Sequence, residues 1–332
     1  IKKSLKSYGR DISDILACST KNCPMMNKTA IELQLWRIPC VLHMLNLIFQ
    51  DFVKAIMPNI NPIFDLIKHL TNSEIYENQL FQKSILGIKI KRIPTYVETR
   101  WTSFCDSVIT LYDTLAFVKE ITPTRRFLDQ TQLDHLSRLN KLCIKYKNII
   151  LTYEEDSFGA SGCFLADISL IKQLFTDVEN TDLRNGSIAA KKRIDDLSRT
   201  HSFFWNSISP IALILNPQIE DYKRLLTTDQ IDIAKKNIIK RMKKYPMFIK
   251  KNNEERPKEE KSSRSERYEA FKVENTNQPK EEELITPIDS LLTHRNVAIN
   301  DIKAYWLSKL GTEDQQLTYV ALEILGLLIT SV

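Results

Sequence analysis

Apolar residues recur every three or four positions along most of the chain, which is the spacing that buries one face of a helix. One such pattern begins near Leu45 and continues through Phe52 to Ile56. Between about residues 128 and 243 nearly every segment has this spacing, for example Leu133, Leu136, Leu139 and Leu142, then Ile168, Ile171, Leu174 and Phe175, then Ile231, Ile238 and Met242. The pattern predicts a helical middle region.

Three short apolar segments near the start of the chain have the pattern of strands instead. Residues 15–17 are apolar and precede a polar turn at 18–22. A second apolar patch at 38–42 leads into the helix that passes through Leu45, and residues 89–97 alternate loosely before another helical pattern from Phe104. The order predicts an α/β region followed by helices.

Residues 250–283 break the helical pattern, because they are poor in apolar side chains and alternate short acidic and basic clusters. Such a segment cannot offset its ordering entropy by burial, so we predict a disordered linker. Order should return in residues 284–332 with two amphipathic helices, near 302–310 and 317–325. The predicted parts are therefore 1–120, 121–249, 250–283 and 284–332.

Composition excludes several functional classes. The 332 residues are 43% hydrophobic and 27% charged, as expected for about two globular domains without membrane spans. Only 7 of the 332 residues are glycine, which is about 2% against a typical share of about 7%. Neither a Walker A loop nor a dinucleotide-binding fingerprint occurs in the sequence. The six dispersed cysteines predict thiols in a reducing compartment, and the net charge of +6 mildly favours an anionic partner.

Two motifs contain residue types that bind metals or nucleic acids. Cys18, Cys23, Cys40 and His43 could form a zinc site with three thiolates and one imidazole, but buried thiols beside a hydrogen-bonded histidine are favoured by their irregular spacing. Arg100-Trp101 could hold a phosphate and stack on a base, although an isolated pair is more often a core tryptophan beside a surface arginine.

A run of basic residues has no acidic residue between Asp232 and Glu254. On a helix these basic residues would neutralise several phosphates. Two interpretations of equal weight follow, namely DNA binding and a solvated helix face without a partner. The predicted DNA-binding residues are Lys235, Lys236, Lys240, Arg241, Lys243 and Lys244. Residue types alone indicate no catalytic constellation, since the chain contains neither GxSxG nor HExxH.

In their order along the chain, four stretches resemble transposases of the hAT (hobo and Activator) superfamily. Residues 15–22 are similar to a strand that ends in Asp-Asn-Ala-x-Asn, and residues 37–47 to an Arg-Cys-x-x-His-x-Leu-Asn-Leu block. Thr99-Arg100-Trp101-Thr102-Ser103 resembles Thr-Arg-Trp-Asn-Ser, and residues 212–217 resemble a strip that contains Leu-Asp/Asn-Pro-Arg, with Gln218 where the family has arginine.

The resemblance implies a partial RNase H-like α/β core in 1–120, interrupted by a helical insertion in 121–249. It also implies two Mg²⁺ or Mn²⁺ ions held by Asp, Asp and Glu, and a pocket formed by Cys40, His43, Arg100 and Trp101. The second aspartate position falls on Cys18, and a thiol is a poor ligand for these hard cations. The other two carboxylates are expected before Ile1 and after Val332, so we expect no catalysis, no cofactor and no small-molecule substrate.

The segment 284–332 resembles the dimerisation region of the same family. Two short helices carry many large apolar residues there, so either a partner copy or the protein's own α/β core must cover them. The predicted dimerisation residues are Tyr305, Trp306, Leu310, Val320, Leu322 and Leu325. The expected function is weak DNA binding and association with itself or an intact relative in the nucleus, and the alternative is a helical protein-interaction module without DNA binding.

Overall fold

A computed structural model describes most of the chain, namely residues 17–20, 28–29, 32–33, 36–97, 101–154, 160–201, 208–245, 281–295 and 298–326. The chain divides into two compact units. The first unit contains residues up to Ser157 together with Asp167–His201, and the second contains Phe158–Ala166 and Ser202–Leu328.

The first unit begins with two short parallel strands. Strand β1 (Ala17–Thr20) pairs with β2 (Trp36–Pro39), with Ala17 opposite Trp36 and Thr20 opposite Pro39. Both strands lie close to the predicted apolar segments, although β1 extends through residues that the sequence had assigned to a turn. Because the two strands are parallel, a tight hairpin does not join them.

The other regular elements described in the first unit are helices, and the longest of them packs against three others. They are α1 (Val41–Thr71), α2 (Glu74–Ile85), α3 (Trp101–Asp113), α4 (Leu115–Ile121), α5 (Gln130–Glu154), α6 (Ala160–Asp177) and α7 (Arg184–His201). Helix α1 packs against α3, α5 and α7 and continues through Pro58 and Pro62. Residues 160–166 of α6 belong to the second unit.

Aromatic side chains fill the space between α1, α3 and α5. The ring of Phe49 lies 4.7 Å from that of Tyr146 and 5.5 Å from that of Phe104, measured between centroids, and Phe52 continues the cluster. The Tyr146 hydroxyl donates a hydrogen bond to the Leu45 carbonyl at 2.8 Å. Each large side chain buried in this way contributes about 1.5–3 kcal/mol.

The strand predicted for residues 89–97 is wrong, because these residues are irregular apart from a single bridge at Val97. Side chains, rather than a neighbouring strand, satisfy their backbone. The Ile93 amide donates to the Tyr76 hydroxyl at 3.0 Å, and the Val97 amide donates to Ser103 Oγ at 2.9 Å. Pro94 has no amide hydrogen to give, so a regular ladder would be interrupted there.

The second unit is formed by shorter helices. They are α8 (Ser209–Leu215), α9 (Tyr222–Leu225), α10 (Thr228–Met242), α11 (Glu281–Thr293), α12 (Ile302–Ser308) and α13 (Gln315–Leu325). Helix α10 packs against α8, α11 and α13, while α12 packs against α13. The two helices predicted near 302–310 and 317–325 are confirmed as α12 and α13.

The compact units divide the chain differently from the four predicted parts. Helices α5 and α7, which the sequence analysis assigned to an insertion from residue 121, pack on α1 in the first unit. Helix α11 begins at Glu281 inside the predicted linker, whose residues 250–280 lie outside the described ranges. The C-terminal helices fold with α8 and α10.

The predicted α-dominated character is confirmed for the described residues, most of which are helical. None of the described helices combines the length and the apolar character that crossing a membrane requires.

Candidate nucleic-acid interface

Helix α10, which contains most of the basic run, is fixed at its start by a capping box. The Thr227 side chain accepts from the Gln230 amide, and the Gln230 side chain accepts from the Thr227 amide at 2.8 Å. This exchange satisfies two backbone donors that the helix leaves unpaired. The apolar face of the helix is buried in the second unit through Ala234, Ile238, Ile239 and Met242.

The end of α10 is fixed by side chains of α13. Gln316 Nε2 donates to the Met242 carbonyl at 3.1 Å and to the Tyr245 carbonyl at 2.7 Å. The Tyr245 ring stacks on Tyr319 with centroids 5.2 Å apart. Burial, and then the nearby Glu323 carboxylate, raises the pKa of Tyr245 to about 12, so its hydroxyl is neutral at ordinary pH. The end of α10 is therefore anchored by hydrogen bonds and ring stacking.

Four of the six predicted DNA-binding residues are exposed, and two face the protein. Lys236, Lys240, Lys243 and Lys244 are exposed. We call these four lysines the basic strip. Within the described ranges none of the four has an ion-pair partner.

The prediction for Arg241 as a DNA contact is wrong. Its side chain is only 9% exposed, and its Nη1 lies 3.0 Å from Glu323 Oε2. Lys235 is half-buried and is engaged by Asp289, with 2.7 Å between Nζ and Oδ1. The cause is the helical period, because positions 235 and 241 turn toward α11 and α13 while 236 and 240 lie on the opposite face of the helix.

Positive charge on this face is confined to the last part of α10. Asp229 and Asp232 are exposed and lie on the same face in the first turns. From Lys236 to the end of α10 at Met242 the helix rises about 9 Å, and Lys243 and Lys244 follow in the turn after it, so the strip spans about three phosphates of one DNA strand. Cations near a helix end also interact favourably with the helix dipole, which is the purely structural role of these lysines.

A second set of contacts surrounds the end of α8, at the strip that resembles the Leu-Asp/Asn-Pro-Arg motif. Asn216 is fully buried, its Oδ1 accepts from the Gln218 amide at 3.0 Å, and its Nδ2 lies 3.4 Å from Cys163 Sγ. Arg295 donates to the carbonyls of Asn216 and of Ile214, the latter at 2.8 Å. Both polar atoms of the Asn216 side chain are therefore engaged within the protein.

The guanidinium at this strip therefore comes from Arg295 and not from residue 218. It lies 4.6 Å above the centroid of the Tyr222 ring, and burial lowers the pKa of Arg295 to about 10, so it remains charged at neutral pH. Sequence reasoning missed this residue, because 79 positions separate it from Asn216.

The strand pair leads directly into two of the predicted pocket residues, Cys40 and His43. Cys18 lies on β1 opposite Arg37 of β2, and β2 ends directly before Cys40. Cys40 is 2% exposed and His43 is half-buried in the first turn of α1, and both have contact partners. Arg100 lies outside the described residues. Trp101 is the first residue of α3, but its side chain is not described.

The described residues do not fit a two-metal site. Nowhere in the described ranges do three His, Cys, Asp or Glu side chains lie close enough together to hold a metal ion. Cys18 occupies the position that resembles a catalytic aspartate, and a thiol does not suit Mg²⁺ or Mn²⁺. Cys40, Cys105, Cys143 and Cys163 are free thiols, as the sequence predicted.

A second basic surface lies in the first unit and was not predicted. His69 of α1 lines a groove of about 480 Å³ with Arg125 and Arg126, which precede α5. The Arg126 Nη1 lies 3.3 Å from His69 Nε2, and both arginines are exposed. Asp65 and Gln132 also line the groove. The two segments are far apart in sequence, so no local charge pattern indicated this groove.

No protein-family model matches the chain, and no curated protein matches its sequence.

Proposed function

We propose that this protein binds DNA weakly and without sequence preference through the basic strip. The observation that carries the proposal is the placement of four exposed lysines at the end of α10 and in the turn directly after it, on a helix whose two ends are capped and whose apolar face is buried. Contacts between lysine and phosphate read charge and not base sequence, so the affinity should depend strongly on salt.

We further propose that the chain is a relative of hAT transposases that is catalytically inactive as given. Three features support this proposal. They are the parallel pair of β1 and β2, the position of Cys40 and His43 just after β2, and the helices that follow. An RNase H-like core is the α/β arrangement that this order suggests. The relationship implies a nuclear location, where DNA is the anionic partner.

The basis for self-association through the C-terminal helices is wrong, because most of the predicted residues are covered by their own unit. Trp306 and Leu325 are each 1% exposed, and Val320 is fully buried. Tyr305 and Leu322 are half-buried, and Leu310 is exposed. The large apolar residues of this segment therefore do not require a partner copy, and association through it is not part of the proposal.

The alternative function is a helical protein-interaction module without DNA affinity. It is favoured by a group of exposed apolar residues on and just after α2, among them Phe81 and Ile85. Fluorescence anisotropy with labelled duplexes of two unrelated sequences, at several salt concentrations, separates the two functions. Equal affinities that fall steeply with salt support DNA binding. Absence of binding even at low salt supports the alternative.

A further inference from the structure

The groove between α1 and the turn before α5 carries positive charge that is not neutralised by an ion pair. Arg125 and Arg126 line it together with His69, and both arginines are exposed. In the part of the chain that the structure describes, neither guanidinium forms an ion pair with a carboxylate. Asp65 also lines the groove without pairing with either of them. Two adjacent cations left open in this way favour an anionic ligand.

Arg126 stacks on His69 and so keeps its hydrogen-bonding edge free. Its Nη1 lies 3.4 Å from Nδ1 and 3.3 Å from Nε2 of the imidazole. An atom that is almost equally close to both nitrogens lies over the face of the ring, because a position in the ring plane would overlap a carbon atom. A guanidinium that stacks on a ring keeps its N–H groups available in its own plane. The contact therefore holds the Arg126 side chain without neutralising its charge.

Backbone hydrogen bonds hold the arginine-bearing wall of the groove in place. The Arg126 amide donates to the Pro123 carbonyl at 2.8 Å, which closes the turn Thr124–Arg126. Directly after it, Asp129 and Gln132 cap the start of α5, because the amide of each donates to the side chain of the other at 2.9 Å. The wall is formed before a ligand arrives, which lowers the ordering cost of binding.

The groove is larger than a phosphate ion and is partly apolar. Its volume is about 480 Å³, which lies within the roughly 300–1,000 Å³ of small-molecule sites. Leu66 and Phe127 line it beside the arginines. It therefore offers a hydrocarbon and ring surface next to the positive charge. A ligand that matches both features has an anionic group attached to an apolar or planar part.

Phosphate suits the cationic part of the groove better than a carboxylate does. A phosphate monoester carries a charge of about −1.5 to −2 at pH 7 and has three acceptor oxygens. It can therefore accept hydrogen bonds from two guanidinium groups at once, and bidentate bonds between arginine and phosphate are among the strongest in proteins. A carboxylate has one charge and two oxygens, and a single arginine satisfies it.

We propose that this groove binds a phosphate monoester whose organic part is a ring system, such as a nucleoside 5′-phosphate. Arg125 and Arg126 hold the phosphate, and the ring system lies against Phe127. The same chemical group occurs on a free nucleotide and at the 5′ end of a DNA strand, and the experiments below separate these sources. The site does not depend on DNA binding by the basic strip.

Isothermal titration calorimetry of the full chain at low salt tests the groove with adenosine 5′-monophosphate. The nucleotide should bind one to one, and adenosine and inorganic phosphate should each bind roughly tenfold more weakly or less. Arg125→Met with Arg126→Met should weaken nucleotide binding by about tenfold or more. Arg184→Met with Arg199→Met, at two exposed positions of α7, removes the same charge and should bind like wild type. All four arginines are exposed, so the variants should keep the wild-type circular dichroism spectrum.

Asp65→Asn gives a second readout in the opposite direction. Removal of a negative charge from the groove should strengthen nucleotide binding by roughly threefold or more. A purely structural role of the groove residues would not produce this gain, so an unchanged or lower affinity would contradict a site based on charge. Inorganic phosphate that binds as tightly as the nucleotide would overturn the role given to Phe127.

Single-stranded oligonucleotides with a 5′-phosphate or a 5′-hydroxyl separate the two sources. If the ligand is a strand end, the 5′-phosphate form should bind more tightly than the 5′-hydroxyl form, and Arg125→Met with Arg126→Met should abolish that advantage. If the ligand is a free nucleotide, the two forms should bind alike while adenosine 5′-monophosphate binds. The proposal is overturned if neither phosphate monoester shows binding that depends on the two arginines, whatever the affinity of the basic strip for DNA.

Discussion

The indole Nε1 of Trp306 donates a hydrogen bond to the Leu215 carbonyl at 3.2 Å. Arg295 donates to the carbonyls on either side, those of Ile214 and Asn216. These three consecutive carbonyls lie at the end of α8 and have no partner within the helix. Arg295 and Trp306, about 80–90 positions later in the chain, pair with them. The C-terminal helices are therefore a structural part of the second unit.

Loss of the Arg295 donors should destabilise the protein. Arg295→Met keeps most of the side-chain volume but leaves buried carbonyls of Ile214 and Asn216 without these partners. We expect the free energy of unfolding to fall by about 2–3 kcal/mol, measured by urea denaturation. Arg224→Met is the control, because Arg224 is 82% exposed and its ion pair with Asp221 is solvated. Equal stability of the two variants would contradict this role of Arg295.

A close approach between α1 and α7 makes Gly186 sensitive to the smallest side chain. A Cβ at this position would lie 2.5 Å from Ile56 Cγ2 and 2.6 Å from Phe52 Cδ2. The helix propensity of alanine favours Gly186→Ala by up to about 1 kcal/mol, but the overlap with buried atoms should outweigh it and lower stability by about 1–3 kcal/mol. Asn185→Ala, at the exposed neighbouring position, should be neutral or slightly stabilising. A more stable Gly186→Ala protein would disprove the close packing.

Asp167 gives the protein a defined pH dependence. Burial raises the pKa of Asp167 to about 6, although a hydrogen bond donated by Tyr153 lowers it in part. The unfolded chain ionises near pH 4, so between about pH 4 and 6 the folded protein holds a proton that unfolding releases. The free energy of unfolding therefore falls as pH rises through this window.

Asp167→Asn should remove that dependence, because the amide keeps an acceptor for Tyr153 and cannot ionise. Above pH 7 the variant should be more stable than wild type by up to about 3 kcal/mol, and below pH 4 the difference should vanish. Thermal denaturation at several pH values measures this, with Asp177→Asn, at an exposed position of α6, as control. A difference that does not change with pH would exclude titration of Asp167 as its cause.

Periodicity along the sequence predicted most helices, because burial of one face imposes a spacing that residues 133–142, 168–175 and 317–325 show directly. It failed at residues 89–97, where alternation was loose and side chains of Tyr76 and Ser103 took the place of a neighbouring strand. It also missed α11, whose start, Glu281, falls within a charged cluster that resembles linker composition.

The candidate site was predicted only in part for a similar reason. A one-dimensional run of charge does not show which side of a helix is covered, so Arg241 and Lys235 were grouped with four lysines that face solvent. Arg295 and the groove with Arg125 and Arg126 depend on contacts between distant parts of the chain. Such contacts have no signature in local composition.

We expect no divalent-metal-dependent DNA cleavage by this chain, because Cys18 occupies the position that resembles a catalytic aspartate. Supercoiled plasmid incubated with the purified chain and Mn²⁺ should remain intact over hours. Nicking that is reproducible, and that disappears in Cys18→Ala, would make the thiol a participant and would contradict the proposed inactivity.

The most direct test of the account is the salt dependence of DNA affinity after reversal of the basic strip. The strip variant changes all four lysines of the basic strip to glutamate. The control variant makes the same change at four exposed lysines of the first unit, so that both variants lose the same charge; these are Lys54, Lys141, Lys145 and Lys192. The account predicts that the strip variant binds at least tenfold more weakly, equally for all sequences, with a salt slope smaller by about 2–3, while the control stays closer to wild type. Equal losses of affinity in the two variants would mean that only the net charge matters. Unchanged affinity of the strip variant at low salt would contradict DNA binding by α10 and would leave the groove of Arg125 and Arg126 as the other basic surface to test.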